Sequence, residues 1–253
     1  MEPTRRPLHS PPPERVNADG MPRPTPAART IERYPPRVRI NHWAVVLLFL
    51  CAALSGLAFF HPSLFFLSHL FGGGTWARVL HPFFGVLMVA GFVLLAAHVW
   101  RDNRLDAGDR AWLRRSRDLI AGREEQMPPV GKYNGGQKLV FWTFAISLLL
   151  LFVTGFVFWQ PWFADAFPIP LRRVAVVIHS VAAVVLLLSM VIHVYAAIWV
   201  RGSMRAMLRG DVSEAWARQH HRLWYRQIVG RDPRSREPPH RGPAGSAAPQ
   251  RPD

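Results

Sequence analysis

The sequence predicts an all-α integral membrane protein in which four transmembrane helices form a bundle and both termini are cytoplasmic. Two patterns support this prediction: four long apolar runs contain no charged residue, and most basic residues lie between alternate runs. The chain has 253 residues, half of them apolar, and a formal net charge of +15. A soluble nucleic-acid-binding protein interleaves its arginines with its core, whereas here the two are separated. Nucleic acid is therefore not an expected partner.

Each apolar run is long enough to cross the hydrocarbon core of a bilayer, which takes about 20 residues of helix. The runs cover residues 43–60, 79–100, 139–159 and 174–200, and none contains Lys, Arg, Asp or Glu. Helices buried in a large soluble core are the alternative, but four such runs would need far more chain to cover them. We therefore expect membrane lipid to contact all four spans.

The basic residues predict how the spans are oriented. Residues 1–41 hold eight Lys or Arg, residues 101–138 hold nine and residues 201–253 hold eleven, against three in the other two connections. Positively charged connections stay on the cytoplasmic side of a membrane. This distribution predicts a multi-pass protein of the bacterial inner (plasma) membrane with cytoplasmic N and C termini.

The composition divides the chain into three parts. Residues 1–32 are rich in Arg and Pro and predict a disordered cytoplasmic arm, and residues 229–253 predict a disordered tail. Residues 33–228 form the predicted four-helix domain, which ends in short cytoplasmic surface helices. Four apolar residues in these helices predict a face that lies on the membrane or on a partner: Trp216, Leu223, Trp224 and Ile228.

Histidine is the residue type that indicates chemistry in this chain. The single cysteine, Cys51, excludes an intrachain disulfide, a cysteine-ligated iron–sulfur cluster and a covalently attached haem. Any metal site must therefore use His, Met or carboxylate ligands. Five histidines lie in or beside the spans, where ionisable groups are costly and suggest function: His42, His81, His98, His179 and His193.

Helix direction and spacing arrange four of these histidines as two pairs. His179 and His193 are 14 residues apart on the fourth span, which is about 21 Å and returns to nearly the same helix face. His81 lies at the depth of His179, and we call these two the outer pair. His42 can reach His193, and we call these two the inner pair. A haem needs one axial imidazole on each side of its ring, so the pairs predict two b-type haems.

The other histidines have weaker claims to a ligand role. His98 competes with His42 for the inner site, but it points to a different face of its helix from His81. A hydrogen bond between packed helices is the simpler explanation for any single histidine in a span. We expect the remaining candidates to be surface groups: His61, His69, His220 and His221.

A polar loop precedes the third span and reads G-K-Y-N-G-G-Q-K over residues 131–138. Its glycines permit close backbone approach, while Asn134 and Gln137 supply neutral donors and acceptors. Because the loop lies on the same side as the inner pair, it predicts a quinone site that includes Asn134, Gly136 and Gln137. A polar turn that only leads into the span is the alternative.

Several motifs together resemble one family. They are R-Y-x4-R-I-N-H-W from Arg33, L-H-P-F-F-G from Leu80, the loop over residues 131–138, the two-histidine fourth span, and E-A-W-A-R-Q-H-H-x-L-W-Y ending at Tyr225. The chain resembles the di-haem cytochrome b gamma subunit of respiratory formate dehydrogenase over about residues 33–228.

The resemblance implies an electron-transfer role without formate chemistry in this chain itself. The implied partners are a catalytic subunit that contains molybdenum or tungsten and an iron–sulfur subunit. Electrons would pass through two haem b groups to quinone in a respiratory chain. The resemblance assigns His81 and His179 to the outer haem and His42 and His193 to the inner haem, and it places Asn134 and Gly136 at the quinone.

Two alternatives remain at this stage. One is the membrane cytochrome b of another redox complex, of the nickel–iron hydrogenase or thiosulfate reductase type. The other is a membrane anchor or transporter without a cofactor.

Overall fold

The computed structural model describes residues 29–123, 127–200 and 202–230. Within these residues the chain forms nine α-helices and two short β-strands, in the following order: β1 (Thr30–Glu32), α1 (Pro36–Phe60), α2 (Gly74–Val99), α3 (Ala107–Arg114), α4 (Ser116–Ile120), α5 (Gly135–Val157), α6 (Ile169–Trp199), α7 (Ser203–Arg209), β2 (Asp211–Ser213), α8 (Glu214–His220) and α9 (Arg222–Val229). Short 3₁₀ helices occupy Pro62–Phe71, Arg101–Asn103 and Ala164–Ala166.

Four helices, α1, α2, α5 and α6, are long and apolar enough to cross a membrane, which confirms the predicted four-helix fold class. Each begins several residues before its predicted span, because the prediction counted only the uncharged run. Helix α1, for example, begins at Pro36, whose fixed φ suits the first turn of a helix and whose missing N–H costs nothing there.

The four spanning helices form two antiparallel hairpins, α1 with α2 and α5 with α6, that pack against each other. Phe49, Met88, Phe92, Leu148 and Leu186 form the buried core between them. Large apolar side chains on the other faces are exposed. Lipid contact explains this exposure, since apolar surface left in water costs about 25 cal/mol per Å².

Both ends of the described chain meet at one side of the bundle, where β1 pairs with β2 in antiparallel register. We call β1, β2, α7, α8 and α9 the terminal cap. Its core contains Val212, Ala217 and Trp224, and Tyr34 and Val38 join it from the start of the first hairpin. The fold therefore begins within the predicted arm of residues 1–32. The rest of that arm, and nearly all of the predicted tail, lie outside the described residues.

The predicted apolar face of the surface helices is used mostly inside the chain. Trp224 is buried in the cap core, and Trp216 and Ile228 pack against it. Leu223 alone of the four is exposed. The expectation that all four face the membrane or a partner is therefore wrong. The strand pairing with β1 supplies a surface for them, and sequence spacing gives no sign of that pairing.

Candidate functional site

The structure brings the outer pair together inside the bundle. His81 on α2 and His179 on α6 face each other with ring centroids 6.3 Å apart and ring planes at 66°. A metal–imidazole nitrogen bond is about 2.0–2.1 Å, and each nitrogen lies about 1.1 Å from its ring centroid, so two rings on opposite sides of one metal ion lie about 6 Å apart. The observed separation fits one metal ion held between the two rings.

A hydroxyl group fixes the tautomer of His81. The Oγ of Ser55 lies 2.6 Å from the carbonyl oxygen of Cys51 and 2.9 Å from Nδ1 of His81. A carbonyl oxygen only accepts, so the single hydroxyl proton is donated to Cys51. The Ser55 oxygen must then accept from Nδ1–H of His81. This assignment leaves the lone pair of Nε2 available to a metal ion.

His179 has the same arrangement on the second hairpin. Thr154 Oγ1 donates to the carbonyl oxygen of Leu150 at 2.6 Å and lies 3.0 Å from Nδ1 of His179. The same reasoning makes Nδ1–H the donor and leaves Nε2 free. The hydroxyl residues were not predicted from the sequence, because 26 and 25 residues separate them from their histidines. Serine and threonine are also ordinary residues in apolar helices.

The glycines that follow these hydroxyl residues make room for the imidazoles. A Cβ at Gly56 would lie 3.0 Å from Cε1 of His81, and one at Gly155 would lie 3.4 Å from Cε1 of His179. Around Gly85, one turn after His81 on nearly the same face, a Cβ would meet nothing within 4 Å. A flat ring beside His81 could therefore approach the backbone of α2 closely.

The inner pair lies toward the terminal cap. His42 on α1 is close enough to His193 on α6 for an electrostatic interaction between them. The ring of His193 also meets Phe144 edge-on, with centroids 5.7 Å apart. Nδ1 of His42 is buried and has no hydrogen-bond partner in the part of the chain that the structure describes. A buried nitrogen without a hydrogen bond is costly, so this histidine has a role other than packing to explain it.

The donor set favours haem over a metal ion held by protein ligands alone. Among the described residues, no three His, Cys, Asp or Glu side chains come together as a metal cluster. Each pair would supply two imidazole ligands, which is the number that a b-type haem takes from a protein. The structure thus brings the four predicted ligands together as two pairs of imidazoles.

Two of the four histidines that were predicted to be surface groups are exposed. His61, His69 and His98 are exposed, and His220 is half-buried. His221 is different, because it is only 3% exposed, so its prediction as a surface group is wrong. Its Nδ1 donates to the carbonyl oxygen of Gly131 at 2.8 Å, and Nε2 lies 3.4 Å from Arg33.

Burial, followed by the nearby Arg33 charge, lowers the pKa of His221 from 6.5 to about 3. His221 is therefore neutral at physiological pH, which suits its place beside a guanidinium group. The Arg33 side chain is itself buried and donates to the carbonyl oxygen of Lys132 at 2.5 Å. Together His221 and Arg33 fasten the cap to the loop that starts at Gly131.

The residues of the predicted quinone loop have defined structural roles. Asn134 caps α5: its Oδ1 accepts from the backbone N–H of Gln137 at 2.8 Å, while Oε1 of Gln137 accepts from that of Asn134 at 3.0 Å. Such a capping box satisfies two backbone donors at the helix start. A Cβ at Gly136 would lie 3.0 Å from the Trp112 ring. The loop is therefore a polar turn that leads into the span, and any ligand contact would be additional.

A buried ion pair ties this loop to α3. Nζ of Lys138 lies 2.8 Å from Oδ2 of Asp109, and both side chains are less than a tenth exposed. Nζ also donates to the carbonyl oxygen of Arg104 at 2.9 Å and lies 3.3 Å from Oδ2 of Asp106. The start of α5 is thus held in place from two sides, by α3 and by the terminal cap.

Comparison with known proteins places most of the chain in one family. The sequence model of the prokaryotic cytochrome b561 family matches residues 33–210. The chain is 44% identical over 199 residues to the formate dehydrogenase cytochrome b556(fdo) subunit of Escherichia coli K12, which covers 79% of this chain and 93% of that protein.

Two further relatives have similar names. The nitrate-inducible formate dehydrogenase cytochrome b556(Fdn) subunit of Escherichia coli K12 is 40% identical over 190 residues, covering 75% of this chain and 88% of that protein. The formate dehydrogenase cytochrome b556 subunit of Haemophilus influenzae is 38% identical over 199 residues, covering 79% and 84%.

Proposed function

The chain belongs to the prokaryotic cytochrome b561 family, and we propose that it is the membrane electron-transfer subunit of a formate dehydrogenase. The resemblance inferred from the sequence motifs is confirmed, and membership of a cytochrome b family implies bound haem b. In this function, electrons from an iron–sulfur subunit reach quinone through two b-type haems. The names of the relatives favour it over the hydrogenase and thiosulfate reductase alternatives, and the family argues against a cofactor-free anchor or transporter.

The observation that supports two haems most directly is that each of the two imidazoles of α6 lies near an imidazole of the first hairpin. We propose that His81 and His179 hold one haem and that His42 and His193 hold the other. When bound, a haem b supplies one-electron redox chemistry at its iron. The chain's own contribution is to enclose His42, His81 and His179 partly within an apolar bundle and to leave the Nε2 lone pairs of His81 and His179 free. The spacing of His179 and His193 keeps the two sites about 21 Å apart.

Replacing each histidine on α6 tests this assignment in the complete formate dehydrogenase complex. With His193→Ala, formate should still reduce the outer haem, while quinone reduction should fail. With His179→Ala, formate should still be oxidised with an artificial soluble acceptor, while neither haem is reduced efficiently. His81→Ala and His42→Ala should copy His179→Ala and His193→Ala in that order. The pairing is wrong if His42→Ala matches His179→Ala instead.

We also propose that the loop with Asn134, Gly136 and Gln137 lines the quinone site. The proposal is supported by the loop's position at the end of the bundle where the inner pair lies, and by the Asn134 amide group, whose N–H donors the helix cap does not use. Gly136→Val is an unsuitable test, because its side chain would collide with the Trp112 ring.

Asn134→Asp is a sharper test of the quinone site. The carboxylate can still cap α5, but the amide N–H donors are lost, so quinone reduction should fall while the fold and both haems remain. Asn134→Ser is a second variant with the same expected result, because serine also caps the helix and lacks the amide. Wild-type quinone reduction in both variants would place the site elsewhere.

The orientation of the chain in the membrane is part of the proposal. The excess of basic residues on the side of the terminal cap supports cytoplasmic termini and an inner-membrane location. The catalytic molybdenum or tungsten subunit and the iron–sulfur subunit would then bind on the opposite, periplasmic side. A cysteine at the exposed Asp165, in a Cys51→Ala background, should react with a membrane-impermeant thiol reagent from the periplasm. Labelling only from the cytoplasm would reverse the orientation.

A further inference from the structure

We propose that Ser55 and Thr154 are positioning residues for the outer pair, and that their hydroxyls lower the reduction potential of the outer haem. The inference rests on the proposed function, because it requires His81 and His179 to be axial ligands. It goes beyond that function because it assigns the tuning of one haem to two residues that do not touch the iron.

The two hydroxyls act on equivalent atoms from equivalent positions. Ser55 on α1 reaches His81 on α2, and Thr154 on α5 reaches His179 on α6, each at Nδ1 and at 2.9 Å and 3.0 Å. Both hydroxyl protons are committed to backbone carbonyls of their own helix. Both oxygens can therefore only accept, so each imidazole is held in one tautomer and one rotation by its partner hairpin helix.

When the hydroxyl oxygen accepts a hydrogen bond from Nδ1–H, the electron density of the imidazole increases. Nε2 then becomes a stronger donor to iron. A stronger axial donor stabilises the oxidised iron more than the reduced iron, so the reduction potential falls. Ser55 is fully buried and Thr154 is 7% exposed, so bulk water does not replace either oxygen. These two contacts are therefore lasting features of the site.

The inner pair lacks the same support on at least one side. Within the described residues Nδ1 of His42 is buried without a hydrogen-bond partner, so no acceptor there strengthens its ring as Ser55 strengthens that of His81. The difference makes the outer site the weaker electron acceptor of the two. A haem held by His81 and His179 would then have a lower reduction potential than one held by His42 and His193, which is the order that electron transfer from the outer to the inner site would need.

We expect loss of a hydroxyl to shift the potential without releasing the haem. The carbonyl oxygens of Ala52 and Leu151 lie 3.2 Å from Ser55 Oγ and 3.4 Å from Thr154 Oγ1, so a backbone acceptor stays near each imidazole when the hydroxyl is removed. The tautomer should therefore survive in Ser55→Ala and Thr154→Val. The ligand loses only the hydroxyl contribution to its basicity.

The test is an optical redox titration of the purified complex, together with the low-spin haem signals in electron paramagnetic resonance. Thr154→Val, which keeps the side-chain shape, should raise the midpoint potential of the outer haem and move its resonance signal, and Ser55→Ala should do the same. Thr154→Ser keeps the hydroxyl, so its midpoint potential and resonance signal should be those of wild type. Thr143→Val is the matched control, because the Thr143 hydroxyl donates to the Leu139 carbonyl of α5 and contacts no described histidine.

The outcomes separate this inference from the proposed function. If His179→Ala retained the outer haem, the ligand assignment and this inference would both fail. If His179→Ala lost that haem while Thr154→Val and Ser55→Ala kept wild-type potentials and signals, only the inference would fail. A shift in Thr143→Val as large as that in Thr154→Val would also overturn it, because any lost hydroxyl would then suffice.

Discussion

Replacing His221 with Asn should remove a pH-dependent loss of stability in the terminal cap. Burial, with the Arg33 charge as the second cause, lowers the pKa of His221 to about 3 in the folded protein. The residue stays neutral when folded, but in the unfolded chain it takes up a proton below pH 6.5. Its contribution to stability is therefore complete above pH 6.5 and is lost as the pH falls toward 3.

The size of this effect follows from the pKa shift. Each pH unit below 6.5 costs about 1.36 kcal/mol of stability. The wild-type cap should therefore lose about 2 kcal/mol between pH 7 and pH 5 through His221. In His221→Asn the side-chain amide can still donate to the Gly131 carbonyl, but it does not titrate. An energy of about 2 kcal/mol corresponds to about a 30-fold change in the equilibrium between closed and open cap.

Hydrogen exchange of the α9 backbone measures this equilibrium. The N–H of Leu223 donates to the carbonyl oxygen of Val130, and that of Tyr225 donates to the carbonyl oxygen of His221, so both report on cap opening. Comparing the two proteins at the same pH cancels the intrinsic exchange rates. Wild type should lose about 30-fold more protection than His221→Asn between pH 7 and pH 5. An equal loss in both proteins would refute the assignment of a buried, neutral His221.

Two further predictions concern packing and charge. Gly56→Ala places a Cβ 3.0 Å from Cε1 of His81, so it should shift the outer haem spectrum and cost about 1–3 kcal/mol of overpacking, as measured by haem absorption and thermal unfolding; an unchanged spectrum would contradict the close contact. Lys138→Met leaves Asp109 buried without its partner and should cost about 3–5 kcal/mol in thermal unfolding. Arg172→Met, which breaks an exposed pair, should cost at most about 1 kcal/mol, and equal losses in the two variants would contradict the difference in burial.

The parts of the fold that the sequence predicts are those with a one-dimensional signal. The length and lack of charge of each run predict the spanning helices, because a bilayer sets both. The 14-residue spacing of His179 and His193 predicts two sites on one helix, since helical geometry sets both the rise and the face. The structure brings each of them close to the partner that helix direction had indicated.

The parts that the sequence does not predict depend on contacts between distant segments. Ser55 gains its role only when α2 places His81 beside it. His221 looks like a surface residue in a polar stretch, but the pairing of β1 with β2 closes the cap over it. In the sequence, Gly136 suggests open space for a ligand. In the fold, the Trp112 ring occupies the space beside it.

The number of haems per chain, measured with the histidine variants, tests the central claim most directly. Haem content of the purified protein, from the absorption of its pyridine complex and a protein assay, should be two per chain in wild type. It should be one per chain in His179→Ala and in His193→Ala, and the potentials of the haems that remain in these two variants should differ. A single haem in wild type, or the same haem retained in both variants, would contradict two sites stacked along α6.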